Sequence, residues 1–326
     1  MSLREVWVQL QRAGILVFRA ASAVDGEAIR AAFDDFCVEG ETREILIRLG
    51  CGYSPEKLEP EVYASRYPFS DVAAIRALLL KLVDAGLADP MGPSFALTEL
   101  GVREIRTWYE RMARAMSILD LTPVTHAEVQ EILEADRQIA SSLAASPEAL
   151  ENSVLRHRLG AVLPDASDPA LWQHHFQVWT IQTAREDEAE RVRRECGDDW
   201  LEGFVRRQLW FVDRRPWLAR ARTFERLAHY VASYAPIDDA EAACREAFAR
   251  LAARGEVEES AEGLRLTAEG LAACDLAESE IDEAFLARWP SWGDEQVASL
   301  HGILTRLNTR LEQLRAPNAH PKGGGP

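Results

Sequence analysis

The chain has 326 residues, enough for about two domains that each bury a core without metal or disulfide staples. A hydrophobic share of 47% and an aromatic share of 8% are those of an ordinary globular protein, and no apolar run approaches the ~18 residues of a membrane span. The five cysteines are scattered with no CxxC pair, which excludes a zinc ribbon or disulfide framework, and a net charge of −16 leaves nucleic-acid binding to a local basic surface.

The N-terminus, MSLREVWVQLQRAG, carries acid and base early and has no small-residue cleavage site, so it does not read as a signal peptide and a cytoplasmic location is expected. Lysine occurs only at Lys57, Lys81 and Lys322. With alanine so abundant, the arginine richness reads as compositional bias and not as a nucleic-acid signal in itself.

Ser70-Asp71 is placed to cap a helix running to about Ala85, where Gly86 suits a left-handed terminator. Leu87-Ala88 and Phe95-Ala96-Leu97 then pair as a small hairpin around Pro90-Met91-Gly92-Pro93, and Leu97-Thr98 opens the next helix. The stretch Ala73 to Gly101 reappears without a gap 169 positions later as Ala242 to Gly270. Ala73/Ala242, Arg76/Arg245, Leu82/Leu251, Gly86/Gly255, Leu97/Leu266, Thr98/Thr267 and Gly101/Gly270 are among the recurring pairs. In the second copy Asp238-Asp239 caps, Gly255 terminates, and Glu256-Val257 pairs with Leu264-Arg265-Leu266 across Ser260 to Gly263. A repeat of this size implies duplicated domains.

Apolar heptads follow each copy. Val297, Leu300, Leu304, Leu307, Leu311 and Leu314 keep spacings of three and four, and Val129, Ile132, Asp136, Ile139 and Leu143 hold the same register 168 positions earlier, with one polar interruption. Between them, Ala144 to Asp168 reads as a proline-bearing linker with a short helical piece at Val154 to Leu159, and Asp168-Pro169 opens a long helix stopped by Gly197. The tail after residue 316 has nothing to pack.

Helix, glycine, strand, turn, strand and an LTxxG helix start resemble the MarR-type winged-helix family over about 50 residues per copy, roughly Tyr53 to Trp108 and Thr223 to Ala277. The resemblance implies a mostly α fold with small β-wings: two winged-helix units, 1–146 and 169–316, joined by a linker at 147–168 and followed by a tail at 317–326. MarR-like proteins dimerise through helices at the heptad positions. The two copies are therefore expected to pair within one chain as a pseudo-dimer, with Val24 to Cys37 and the helix after Pro169 as the leading dimerisation helices. Two other arrangements stay open: each heptad helix covers only its own core, or the fuller C-terminal seam makes a homodimer.

The resemblance implies a transcriptional regulator on double-stranded DNA. Arg76 and Lys81 of the first recognition helix and Arg245 and Arg250 of the second are the candidate contacts. The segment Phe204 to Leu227 is the most basic in the chain and interleaves arginine with aromatics, which suits phosphate contact and stacking. Arg206, Arg207, Arg214 and Arg215 are its candidate backbone contacts, the alternative being that they pair with acids such as Glu186, Glu188 and Glu190. Trp172, Trp179, Trp210 and Trp217 are candidates for the wall of a small-molecule effector cleft.

A second reading belongs to another class: an acidic winged-helix subunit that docks a protein partner. The wings lack the Asp-x-Arg element usual in MarR-like wings, and both recognition helices carry no net charge, which favours this reading. A sensor of small molecules without catalysis is a third. His174 and His175 are adjacent and project about 100° apart on a helix, unsuited to one metal ion. The catalytic signatures of hydrolases, zinc proteases and nucleotide-binding loops are absent from the sequence, the carboxylates lie in runs such as REDEAE that read as solvated, and neither an enzyme nor a cofactor is expected.

Overall fold

Each copy of the repeated segment folds as a helix, a tight hairpin and a second helix, closed by the same hydrogen bonds. A computed structural model describes residues 1–34, 37–39, 42–43, 45–47, 59–61, 72–145, 169–196, 199–215, 217, 221–234 and 239–315. It is mostly helical, with two small antiparallel two-stranded sheets among the described residues. The chain order is α1 (Leu3–Val24), α2 (Gly26–Asp34), α3 (Val72–Asp84), β1 (Ala88–Met91), β2 (Ser94–Leu97), α4 (Glu99–Ser117), α5 (His126–Ala144) and α6 (Ala170–Cys196). It continues with α7 (Trp200–Arg214), α8 (Phe224–Tyr234), α9 (Ala240–Ala253), β3 (Val257–Ser260), β4 (Gly263–Leu266), α10 (Ala268–Leu286) and α11 (Asp294–Arg315). The expected cap at Ser70-Asp71, the linker at 147–168 with its helical piece, and the tail at 317–326 lie outside the described residues.

The LTxxG motif is a clamp at the root of the hairpin. Gly86 and Gly255 end α3 and α9 with φ of 71° and 76°, a left-handed conformation that costs glycine little. Thr98 and Thr267 cap α4 and α10, each accepting on Oγ1 from the backbone of Gly101 or Gly270 at 3.1 Å. The same hydroxyls donate back to the carbonyls of Gly86 at 2.8 Å and Gly255 at 2.7 Å. Each threonine N–H donates at 3.0 Å to the carbonyl of the residue after that glycine, Leu87 or Glu256.

This geometry explains the last glycine of the motif. A Cβ on Gly101 would sit 2.1 Å from the Leu87 carbonyl oxygen, and one on Gly270 would sit 2.0 Å from that of Glu256. Both obstacles are backbone, so the helix would have to move away. Gly101→Ala and Gly270→Ala are each expected to cost about 1–3 kcal/mol or more in thermal unfolding, whereas Gly293→Ala, which meets nothing within 4 Å, should be near neutral.

The hairpins are longer and tighter than the sequence predicts. Ala88 to Met91 pairs with Ser94 to Leu97, and Val257 to Ser260 pairs with Gly263 to Leu266, leaving two-residue turns at 92–93 and 261–262. Gly92 at φ 68° supplies the positive φ that a two-residue turn needs, and pairing runs on through Pro90 and Met91; in the second hairpin the positive φ, 109°, falls just after the turn, on Gly263 at the start of β4.

The chain forms two compact units. The first comprises Met1–Leu58, Leu78–Ala184 and Arg288–Pro326; the second comprises Glu59–Ala77 and Arg185–Ala287. In the first, α1 starts from a capping box in which Ser2 Oγ accepts from Glu5 N at 3.3 Å and Glu5 accepts from Ser2 N at 2.6 Å. Its buried face (Val6, Leu10, Ala13, Val17, Ala20) packs on α11, whose heptad residues Val297, Leu300, Leu304, Leu307 and Leu311 are buried. Helix α11 also packs on α5, where Ser299 donates to Glu131 at 3.0 Å and Arg306 to Glu128. Both heptad helices thus meet inside this unit, and the α11 heptad residues are buried within the chain.

The leading long helix of the first copy is α1, not Val24 to Cys37. Asp25 ends α1, and the short α2 follows. Residues 3–24 lie 169 positions before residues 172–193 within α6, so a long helix stands at the same interval before each copy. Gly14 lets α1 approach α6, since a Cβ there would meet Val178 at 3.0 Å.

The second unit builds its core from α7, α8, α9, the β3–β4 hairpin and α10, with Val205, Leu209, Trp210, Leu227, Val231, Phe248, Leu251 and Leu264 buried together. Asp199 caps α7 and Asp239 caps α9, accepting at 2.9 Å from Leu201 N and Ala242 N respectively.

Candidate functional site

Helix α9 and the β3–β4 hairpin form the surface on which the second copy's candidate residues converge. Arg245 donates to Glu241 at 2.6 Å and lies 4.2 Å over the Phe224 ring. Arg250 donates to Glu202 and stands 3.5 Å from Asp199. Arg254 bridges Glu202 and Glu256, at 2.7 Å each, and both carboxylates raise its pKa. Arg206 reaches Glu256 from α7 at 2.9 Å. Arg265 of the hairpin holds Glu258 at 2.6 Å. In the first copy Arg76 of α3 meets Glu61 at 2.9 Å, and Lys81 is exposed.

Three further arginines of the basic segment, Arg207, Arg214 and Arg215, turn inward or pair sideways. Arg215, read as a backbone contact, is 3% exposed, lies over Trp210 and stands 3.8 Å from Asp282. Burial, with Arg185 close by, pushes its guanidinium down to about 9. Arg207 faces Glu278 at 3.0 Å, and Arg214 pairs with Asp275 at 2.5 Å. Pairing is therefore what these side chains do, with acids of α10 among their partners. The assignment of Arg215 to a phosphate is corrected: its charge is committed inside the protein.

At the centre of that cluster is Arg185, fully buried, donating to Glu278 at 2.5 Å and to Asp282 at 2.8 Å. Glu278 and Asp282 are four residues apart on one face of α10, so both aim at the same guanidinium. Burial alone would raise the Glu278 carboxyl, but Arg185 and Arg207 overcome it and hold it at about 2. Arg185 is the first residue of the run REDEAE. The reading of that run as solvated is corrected, since Glu188 is buried as well.

Two of the four candidate cleft tryptophans, Trp172 and Trp210, are core side chains, each in its own unit. Trp172 is fully buried in the first unit, packed against Trp108, Tyr109 and Phe176 at 5.7, 5.6 and 4.5 Å between ring centroids. Trp179 is 45% exposed beside His175. In the second unit Trp210 is buried with its indole donating to Asp275 at 2.8 Å, and Trp217 is half-buried. Trp172 and Trp210 are core side chains, whose large apolar area is better used in packing than in lining a cavity.

The polar interruption in the first heptad is resolved by a partner that sequence reasoning did not assign. Asp136 of α5 and His174 of α6 are both fully buried, joined Oδ2 to Nδ1 at 2.6 Å. Burial pushes the Asp136 carboxyl up against the opposing pull of His174. The signal available in the sequence was a lone acid in an apolar seam, which demands a buried polar partner. His175 points elsewhere, its Nδ1 2.6 Å from the Gly14 carbonyl, and burial lowers its pKa to about 4.

An open groove of about 520 Å³ runs between the start of α8, helix α9 and the hairpin, lined by Arg222, Phe224, Glu225, Glu241, Arg245, Glu259 and Leu264 among others. Arg245 is bound to Glu241, and Arg222 stands 3.9 Å from both Asp213 and Glu262. Glu225 and Glu259 have no hydrogen-bond or ion-pair partner among the described residues. Among those residues no cluster of His, Cys, Asp and Glu suits a metal ion, and no helix is long and apolar enough to cross a membrane. Compared with protein-family models, curated proteins and solved structures, the chain matches none.

Proposed function

We propose that this chain is a cytoplasmic tandem winged-helix protein, its two units joined as a pseudo-dimer, whose winged-helix surfaces dock a protein partner in place of duplex DNA. The observation that carries the reading is the commitment of cations on the second recognition surface. Arg245, Arg250, Arg254 and Arg265 each meet a carboxylate of their own unit, while Glu246 and Glu259 add acid to the same helix and hairpin. A phosphate would have to displace those partners and approach the surplus carboxylates, against the electrostatic term that dominates DNA affinity. The first copy supports the same reading. Leu80 of α3 is 48% exposed and Met91 at the hairpin tip is 61% exposed, apolar groups in places where a DNA reader needs donors and acceptors.

A DNA-binding regulator is the second reading, favoured by the exposed Lys81 and by the recurrence of Arg76 at Arg245. Titration of labelled duplex DNA with the full chain, from low to physiological salt, separates the two. The docking reading expects no binding even at low ionic strength. Binding that weakens linearly in log affinity against log salt, with a slope reporting displaced counterions, sinks it.

A further inference from the structure

The two hairpins differ at one backbone position, and that difference assigns an occupant to the second. In β3 the ladder turns the N–H and C=O of Glu258 and Ser260 toward β4 and those of Val257 and Glu259 away from it. On the far side of β4, Leu264 N donates to the Arg222 carbonyl at 2.9 Å, so β4 is covered on both edges while the outer edge of β3 has no backbone partner among the described residues. Glu259 carries the outward N–H nearest the tip. The matching position in the first copy, 169 residues earlier, is Pro90, paired with Phe95 as Glu259 is with Leu264. Proline has no N–H, and its place on an edge strand blocks the addition of another strand. The first hairpin is closed to strand addition by its sequence; the second is not.

Glu259, on the open edge, brings a carboxylate without a partner among the described residues to the groove whose apolar surface comes from Phe224 and Leu264. Glu258 and Glu262 add acid to the hairpin. We propose that β3 accepts an extended segment of a partner protein as an added strand, and that the segment carries arginine or lysine at alternate positions. Main-chain bonds to Glu259 and Val257 supply the attachment, and the side chains of the added strand place a cation against Glu259. This inference rests on the docking reading of the second unit and names the chemistry of what docks there.

The test uses the full chain and a labelled synthetic peptide alternating arginine with valine, read by fluorescence anisotropy at physiological salt. Wild type should bind it, and a peptide alternating glutamate with valine should not bind. Glu259→Pro copies the first hairpin at the second and should weaken binding on the order of tenfold, the effect of losing a main-chain hydrogen bond and a charge contact together. Glu259→Gln should weaken it several-fold while leaving the edge intact. An arginine-valine peptide N-methylated at alternate residues, so that it cannot bond the edge, should lose binding to the unaltered chain, which keeps the question open to an answer if Glu259→Pro does not fold. No binding by wild type overturns the proposal. So does equal binding of the methylated and unmethylated peptides, which would mark attraction to the overall negative charge alone. Failure of strand addition with DNA binding absent leaves the docking reading standing; salt-dependent DNA binding removes that reading whatever the peptide does.

Discussion

Replacing His174 with alanine is expected to destabilise the first unit by about 3–5 kcal/mol, because it leaves Asp136 as an uncompensated acid in a fully buried seam. The pair itself need not be stabilising, since desolvating two polar groups offsets most of what their 2.6 Å contact returns. The second copy suggests the control, for Leu304 stands at the position matching Asp136 in the heptad register and is fully buried. The double variant Asp136→Leu with His174→Leu should therefore recover most of the loss. Denaturant unfolding followed by tryptophan fluorescence reads both, and a double-mutant cycle reports the coupling. A single variant costing under ~1 kcal/mol would contradict a buried dyad.

Arg185→Leu is expected to cost the second unit a similar ~3–5 kcal/mol, and to change how it responds to acid. Three guanidiniums, Arg185, Arg207 and Arg215, surround Glu278 and Asp282, and Arg185 makes the shortest contacts to both. The sign with pH follows from Glu278. Its folded pKa, about 2, lies below the ordinary 4.5, so the stability it contributes is complete above the ordinary value and is lost as pH falls toward 2. Without Arg185 the carboxyl is held down less strongly, and acid unfolding of the variant should begin at higher pH than in wild type. Arg214→Ala is the comparison. Its pair with Asp275 is roughly half exposed, and screening by solvent limits the loss to about 1 kcal/mol or less. If the two variants lose equal stability, the buried cluster has no special weight.

How much of this was legible in the sequence depends on whether the signal is local. The Gly86-to-Thr98 and Gly255-to-Thr267 intervals dictate a helix stop, a hairpin and a helix start through φ, caps and alternation, and all appear as read. The heptads of α5 and α11 were legible for the same reason, because an apolar period reports a buried face. What such a period cannot report is which helix covers that face. The partner of α11 includes α1, almost 300 residues away in the chain, as in the 2.5 Å pair of Arg12 with Glu312. The charges were less legible still. An arginine on a charged helix reads as solvated whether or not another helix brings two carboxylates to it, and only the placement of Glu278 and Asp282 makes Arg185 an interior residue. For the same reason the basic segment from Phe204 to Leu227 was read both as a phosphate surface and as internal pairing, with nothing local to decide between them.

The threonine-glycine clamp has a consequence for how the two copies have been able to diverge. It anchors each hairpin at its root, through bonds made by backbone and one hydroxyl. Strand β4 is held again where Leu264 N donates to the Arg222 carbonyl, so it is the first strand of each hairpin, β1 or β3, that behaves as a cantilever, fixed where it leaves the helix. Changes at the tip cost the support nothing. Proline and methionine stand at one end and two glutamates and a serine at the other, over the same foundation. A duplicated domain built this way can change what it meets without altering what holds it up.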